Sequence, residues 1–251
     1  MKTNLIGISG KIGSGKDTVG LILQVLDIME RTFDLEQSML TGKHVESIQK
    51  IGETEGPARV GSNEFQIKKY AEKVKRILCL LIGCTMSQLE DREFKEKELG
   101  REWWYFADRG RRLPYTDFLA IFCADQKDVE LVKPTPRSFL QLIGTEMGRN
   151  IIHPNTWVNS MFSDFRDSSK WIITDVRFPN EVEAIHRHGG KVIRIDRTTG
   201  NALIDNNVHA VTDHQHPSET ALDGYTGFDD IVINDGTLDD LVEKIRNLRY
   251  V

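Results

Sequence analysis

At 251 residues, with 39% hydrophobic and 28% charged side chains, the chain is long enough for one large domain or one core with insertions. A net charge of −5 argues against nonspecific nucleic-acid binding, which needs an excess of Lys and Arg, so no direct nucleic-acid partner is expected. Cys79, Cys84 and Cys123 form no Cys-x-x-Cys pair, which points to reduced thiols and away from a disulfide framework or zinc knuckle. No secretory leader pattern precedes the first apolar run, and no run is long enough to span a bilayer. A cytoplasmic protein with no membrane partner is therefore expected.

In chain order, the first predicted element is a strand over 4–9, containing Leu5-Ile6-Gly7-Ile8. It breaks into Gly10-Lys11-Ile12-Gly13-Ser14-Gly15-Lys16-Asp17-Thr18 and leads into a helix over 15–30, with Val19, Ile22, Leu23, Leu26 and Met29 at helical spacing. A strand, a glycine-rich turn and a helix start form a phosphate cradle. The glycines let backbone N–H groups approach oxygen, and the helix directs a partial charge of about +0.5 at the same place. Lys16 is placed to reach the β- and γ-phosphates.

Asp17 stands where this pattern expects Ser or Thr. A bare carboxylate beside a triphosphate is repelled by about 4 kcal/mol per charge pair at roughly 4 Å in an intermediate dielectric. Either a magnesium ion lies between them or the acid points away. Asp17 and Thr18 both stand as candidate magnesium ligands, and the dipole alone also explains an acid in a first helical turn.

Residues 31–63 are polar and glycine-bearing, an excursion from the core. A second strand is predicted over 65–70 and a helix over 71–82. Residues 86–113 are highly charged and contain Trp103, Trp104, Tyr105 and Phe106, which suit either a stacked base or a local core. Residues 114–127 suit a helix, and Lys133-Pro134-Thr135-Pro136 is a break. A helix over 137–149 has an apolar face (Leu140, Ile143, Met147) and a small, polar one (Arg137, Gln141, Gly144, Thr145, Gly148). Glycine inside a helix costs roughly 1 kcal/mol relative to alanine, so a nucleotide or a neighbouring helix is expected to pack there.

A helix over 156–166 and a strand over 171–174 follow. Asp175 and Arg177 end that strand: the acid suits magnesium-bound water, and the arginine suits a phosphate gripped through two parallel hydrogen bonds. Glu181 is placed to accept hydrogen bonds from a base or sugar, although Asp175 and Asn180 also suit helix capping. A helix over 179–188 and a strand over 191–196 precede a polar stretch at 197–218. That stretch reads as a closing lid, with His209, Asp213, His214 and His216 as a loose alternative metal set. A strand over 231–234 and a helix over 237–248 close the chain.

Strands alternating with helices imply an α/β fold, with a five-stranded parallel sheet flanked by helices and ligands bound beyond the strands' carboxyl ends. The loop at 10–18 and the segments after Tyr70, Thr174 and Asp196 would meet there.

The Gly-Lys-Asp-Thr form of the loop, the Gln-x-x-Gly-Thr-Glu helix with Trp157 beyond it, Asp-x-Arg and the late Asn-Asp-Gly together resemble the bacteriophage deoxynucleoside monophosphate kinases. The resemblance implies a P-loop NTPase fold of the nucleoside-monophosphate-kinase kind, as a single domain over 1–251 with a monophosphate-binding insertion about 71–135 and a lid about 197–218. It implies transfer of the γ-phosphate of ATP to a deoxynucleoside monophosphate, with magnesium, in a host cytoplasm, and a homodimer. Carried over by position, Gly13, Ser14, Gly15, Lys16, Asp17 and Thr18 bind ATP phosphates, and Arg197 lies near the ATP base or lid. Lys11 lies between donor and acceptor, Arg92 holds the acceptor, and Arg137, Gly144, Thr145 and Trp157 line its pocket opposite Asp175, Arg177 and Glu181. Lys16, Lys11, Arg137 and Arg177 would offset charge on the transferring group. Two other readings are a kinase of another small acceptor, such as dephospho-coenzyme A, and a non-catalytic nucleotide-binding protein.

Overall fold

The computed structural model describes residues 2–32, 40–47, 64–116, 119–120, 123, 127–197 and 220–251. Most of the 31–63 excursion, the expected lid beyond Arg197 and the His209, Asp213, His214 and His216 set lie outside the described residues. The chain divides into two compact units, one formed by Met1–Tyr70 with Val158–Val251 and one by Ala71–Trp157.

The first unit carries a sheet of β1 (Leu5–Gly10), β2 (Gln66–Lys68), β6 (Trp171–Val176), β7 (Lys191–Asp196) and β8 (Asp230–Ile233). The order is β2-β6-β1-β7-β8 and all pairings are parallel. β6 is buried along its whole length and β1 along most of it, as near-continuous apolar runs require in a sheet covered on both faces. Helix α1 (Lys16–Thr32) contributes Val19, Ile22, Leu23 and Leu26 to a core shared with Ile6, Ile8, Ile172 and Ile193. The closing helix α7 (Leu238–Asn247) adds Leu241, Val242 and Ile245. Helix α6 (Pro179–Arg187) buries Val182, Ala184 and Ile185.

The chain leaves β1 for β2, returns beside β1 as β6, then crosses to β7 on β1's other side. This reversal beside β1 is the topological switch point, where the carboxyl ends of strands open a crevice. The pairing of β1 with β6 slips there: Gly7 faces Ile173 and Ser9 faces Val176, so β6 carries an extra residue. Such a bulge re-aims side chains near a site.

The second unit departs from strict strand–helix alternation. β3 (Tyr105–Asp108), β4 (Arg111–Pro114) and β5 (Val129–Val132) form an antiparallel sheet in the order β4-β3-β5. The β3–β4 hairpin turns on Arg109 and Gly110, both at positive φ (44° and 81°), as a two-residue turn of this hand requires. The four-residue strands and an Arg-Gly turn in place of Asn-Gly hid this sheet within a charged segment. The aromatic run supplies local packing: Phe106 stacks on Tyr115, Trp104 meets Tyr115 edge-on, and Trp103 meets Phe139 edge-on. Of the helix expected over 114–127, residues 114 and earlier belong to β4, and residues 119, 120 and 123 are helical among those described.

Helices α2 (Tyr70–Ile82), α3 (Arg92–Glu96), α4 (Pro136–Gln141) and α5 (Thr156–Phe162) lie between β2 and β6 along the chain. α4 continues as a π-helical stretch, Leu142–Ile152, a wide form rare in proteins and frequent at functional sites. α5 is shorter than the expected 156–166.

Candidate phosphate-binding site

The phosphate loop follows β1. Gly13 and Gly15 adopt φ of 77° and 98°, and a Cβ on Gly15 would lie 2.8 Å from the Asn234 side-chain nitrogen. Only glycine fits both the backbone and the space there. Two contacts hold the loop from outside and one from within. Asn234 Nδ2 donates to the Ser14 carbonyl at 2.9 Å, Arg197 donates to the Gly13 carbonyl at 3.1 Å, and the Ser14 N–H donates to the Lys11 carbonyl at 3.2 Å. Ser14 Oγ is buried without a hydrogen-bond partner among the described residues, a cost that a bound oxyanion would relieve. Lys16 Nζ donates to the Lys11 carbonyl at 2.7 Å, folded back over the loop.

Asp17, on the first turn of α1, accepts from Thr174 Oγ1 at 2.9 Å and pairs with Lys69 at 2.7 Å. Loss of water around the group pushes its carboxyl up, but Lys69, Thr174 and Lys16 more than offset this and hold it below the ordinary carboxylate value. Thr18 follows it in the same turn.

The end of β6 divides its acids from its arginine. Asp175 is buried and accepts from the Tyr70 N–H at 2.8 Å, satisfying the first amide of α2. Glu181 is 1% exposed, and its Oε2 accepts from the N–H groups of Arg177 and Phe178 at 2.7 and 3.1 Å. It thus fixes the start of α6 and the backbone of Arg177, turned inward rather than towards a base or sugar. Arg177 lines an open cleft with Gly10, Lys11, Arg194, Leu222 and Asp223. The mouth of the phosphate loop and the strand-end arginine therefore share one cavity, and an ion pair joins Lys11 to Asp223 there.

The remaining expected acceptor residues belong to the second unit. Arg92 opens α3, whose first turn is capped by Asp91. Arg137 pairs with Glu96, both half exposed. Trp157 is 5% exposed, and its indole N–H donates to the Gly144 carbonyl at 2.6 Å. A Cβ on Gly148 would fall 2.5 Å from the Trp157 ring, so this glycine admits an indole from the next helix, not a nucleotide. Around Gly144 the space is open, its nearest neighbour being Val74 at 3.9 Å, and Thr145 follows it on the π-helical stretch.

Sequence reasoning missed Asn234 as a loop tether, Lys69 as the partner of Asp17, and Arg194 and Asp223 in the cleft. Arg194 carried a signal: it is a charge inside the apolar strand Lys191–Asp196 of a parallel sheet. Among the described residues, no cluster of three or more His, Cys, Asp or Glu could hold a metal by itself, and no helix is long and apolar enough to cross a membrane.

Comparison with known proteins adds an independent line. The deoxynucleoside-5'-monophosphate kinase of Escherichia phage T5 is 26% identical over 208 residues, covering 72% of this chain and 71% of that protein. A protein of Acanthamoeba polyphaga mimivirus, named as a deoxynucleotide monophosphate kinase, is 29% identical over 124 residues, 44% of this chain and 59% of its own. An uncharacterised protein of Ictalurid herpesvirus 1 is 35% identical over 115 residues, 42% of this chain and 44% of its own. The family model for deoxynucleotide monophosphate kinase matches residues 117–245, a span that holds Arg137, Asp175 and Arg177 but not the phosphate loop. The loop's geometry and the family match thus arise from different parts of one chain, and they agree. With just over half its length matched, this α/β protein belongs to the deoxynucleotide monophosphate kinase family.

Proposed function

We propose that this protein transfers the γ-phosphoryl group of ATP to a deoxynucleoside monophosphate, giving the diphosphate. The observation that carries the reading is the cleft shared by Lys11, at the mouth of the phosphate loop, and Arg177, at the end of β6. A simple nucleotide switch needs no second cation-lined phosphate pocket beside its loop. Family membership supports the same acceptor class.

Phosphoryl transfer demands positioning and charge neutralisation, with no covalent intermediate and no strong base. In this reading the amides of Gly13 to Thr18 cradle the donor phosphates, and Lys16 leaves the Lys11 carbonyl to meet the β- and γ-oxygens. Lys11 exchanges Asp223 for the transferring group, and Arg177 grips the acceptor phosphate through its planar fork. In the second unit, Gly144 and Thr145 give the π-helical stretch a small, polar surface. Trp157 keeps that helix in its wide form through the Gly144 carbonyl. Asp175 and Glu181 serve by fixing the backbones of Tyr70 and Arg177.

A magnesium ion bound with the nucleotide would supply charge neutralisation at the phosphates. The residues fit such an ion, which needs only one or two protein oxygens beside the phosphates. Asp17, which pairs with Lys69 and accepts from Thr174, and Thr18 beside it are the residues that would hold it.

The test is ADP release measured with dTMP, dGMP, dCMP, dAMP and dephospho-coenzyme A as acceptors. Turnover with at least one deoxynucleotide and none with dephospho-coenzyme A is expected. Tight ATP binding without transfer to any monophosphate would refute the assignment.

A further inference from the structure

We propose that Arg194 is a further substrate-binding residue, a third cation that receives the phosphate of the acceptor. The inference rests on the kinase reading above and deepens it.

Arg194 lies within β7 with a side chain only 12% exposed, and it lines the same cleft as Lys11 and Arg177. A guanidinium in a covered parallel strand is costly unless its hydrogen bonds and charge are met. Its Nε donates to Asp196 at 2.8 Å, Nη1 reaches Ser9 Oγ at 3.4 Å, and the Phe228 ring lies 5.7 Å from the guanidinium carbon. These contacts engage Nε and Nη1 and hold the plane of the group. Nη2 has no partner among the described residues.

An arginine held through Nε and Nη1 beside an open, cation-lined cleft is pre-organised to offer Nη2 to an oxyanion. The cleft walls include Arg177 and Lys11 but neither Lys16 nor the turn at Gly13 to Gly15. The phosphate met there is therefore the acceptor's, not the donor's tail. Among the described residues, Asp223 is the carboxylate lining the cleft, and it is paired with Lys11, which leaves that lining cationic.

The experiment compares wild type, Arg194→Met and Arg194→Lys, varying ATP and the best deoxynucleotide acceptor separately, with thermal unfolding of each variant as the control for folding. Arg194→Met should raise KM for the deoxynucleotide about tenfold or more, the loss expected for a charge-assisted hydrogen bond to phosphate, and leave KM for ATP within about twofold. Arg194→Lys, which keeps the charge but not the fork, should fall between. An unchanged deoxynucleotide KM in a folded Arg194→Met, or a parallel rise in both KM values, overturns the assignment and leaves Arg194 as the structural partner of Asp196. If Arg194→Met does not fold, Arg194→Lys decides: a rise of about threefold or more confined to the deoxynucleotide supports the role, and no rise refutes it. A wild-type protein inert towards every deoxynucleotide would instead sink the kinase reading itself.

Discussion

Removing the Glu181 carboxylate separates a helix-fixing role from a nucleoside-binding one. Glu181 is 1% exposed and accepts the amides of Arg177 and Phe178 at 2.7 and 3.1 Å. A hydrogen bond to a charged acceptor contributes about 1.5–3 kcal/mol, and a negative charge at a helix start adds up to ~1 kcal/mol. With two such bonds lost, Glu181→Ala should therefore destabilise the protein by about 3–7 kcal/mol. At about 2–4 °C per kcal/mol for chains of roughly this length, the unfolding midpoint should fall by about 6 °C or more. Glu181→Gln keeps an accepting oxygen and loses only the charge, a cost of about 1 kcal/mol. The assay is thermal unfolding by circular dichroism, paired with deoxynucleotide KM on whatever remains folded. A Glu181→Ala midpoint within about 2 °C of wild type, with KM raised, would refute this account and return Glu181 to the substrate.

Lys16→Ala removes one hydrogen bond to a neutral carbonyl, worth about 1 kcal/mol of stability, but also a unit charge near the phosphates worth about 4 kcal/mol at roughly 4 Å. Turnover should fall about a thousandfold in a protein that still folds, and steady-state rates within about tenfold of wild type would contradict the mechanism. Gly148→Ala would set a methyl 2.5 Å from the Trp157 ring, so overpacking should cost about 1–3 kcal/mol. An unchanged unfolding midpoint and tryptophan emission would show that the indole does not sit there. Asp229 is pushed up by loss of water, but the Lys191 ammonium, the Val192 N–H and His186 outweigh this and hold its carboxyl below the ordinary value. A depressed folded pKa contributes stability above the unfolded value near ~3.9 and loses it as pH falls through the folded one, so the midpoint should drop below about pH 4. Asp229→Asn should flatten that acid limb; an equally steep limb would show that other carboxylates carry it.

The strand, the loop and the following helix were legible because their signals are local: an apolar run, glycines at fixed offsets, then a helical period. The parallel sheet followed from the alternation of such segments, and family resemblance added the acceptor class. Chain order could not say what closes on what. Asp175 meets the Tyr70 amide across 105 residues, and Asn234 meets the Ser14 carbonyl across 220. Neither distance leaves a trace in periodicity. Local pattern made Glu181 a candidate to touch a nucleoside, since polarity is read from residue type, and family resemblance did the same for Trp157. Burial set their orientation: a carboxylate sealed from water must find donors, and it found the amides of its own helix start. The antiparallel sheet of the second unit and the placement of Arg194 in the cleft are also products of packing. Residue type determined which chemistry was available to this protein, and long-range contacts determined which atoms face the cleft.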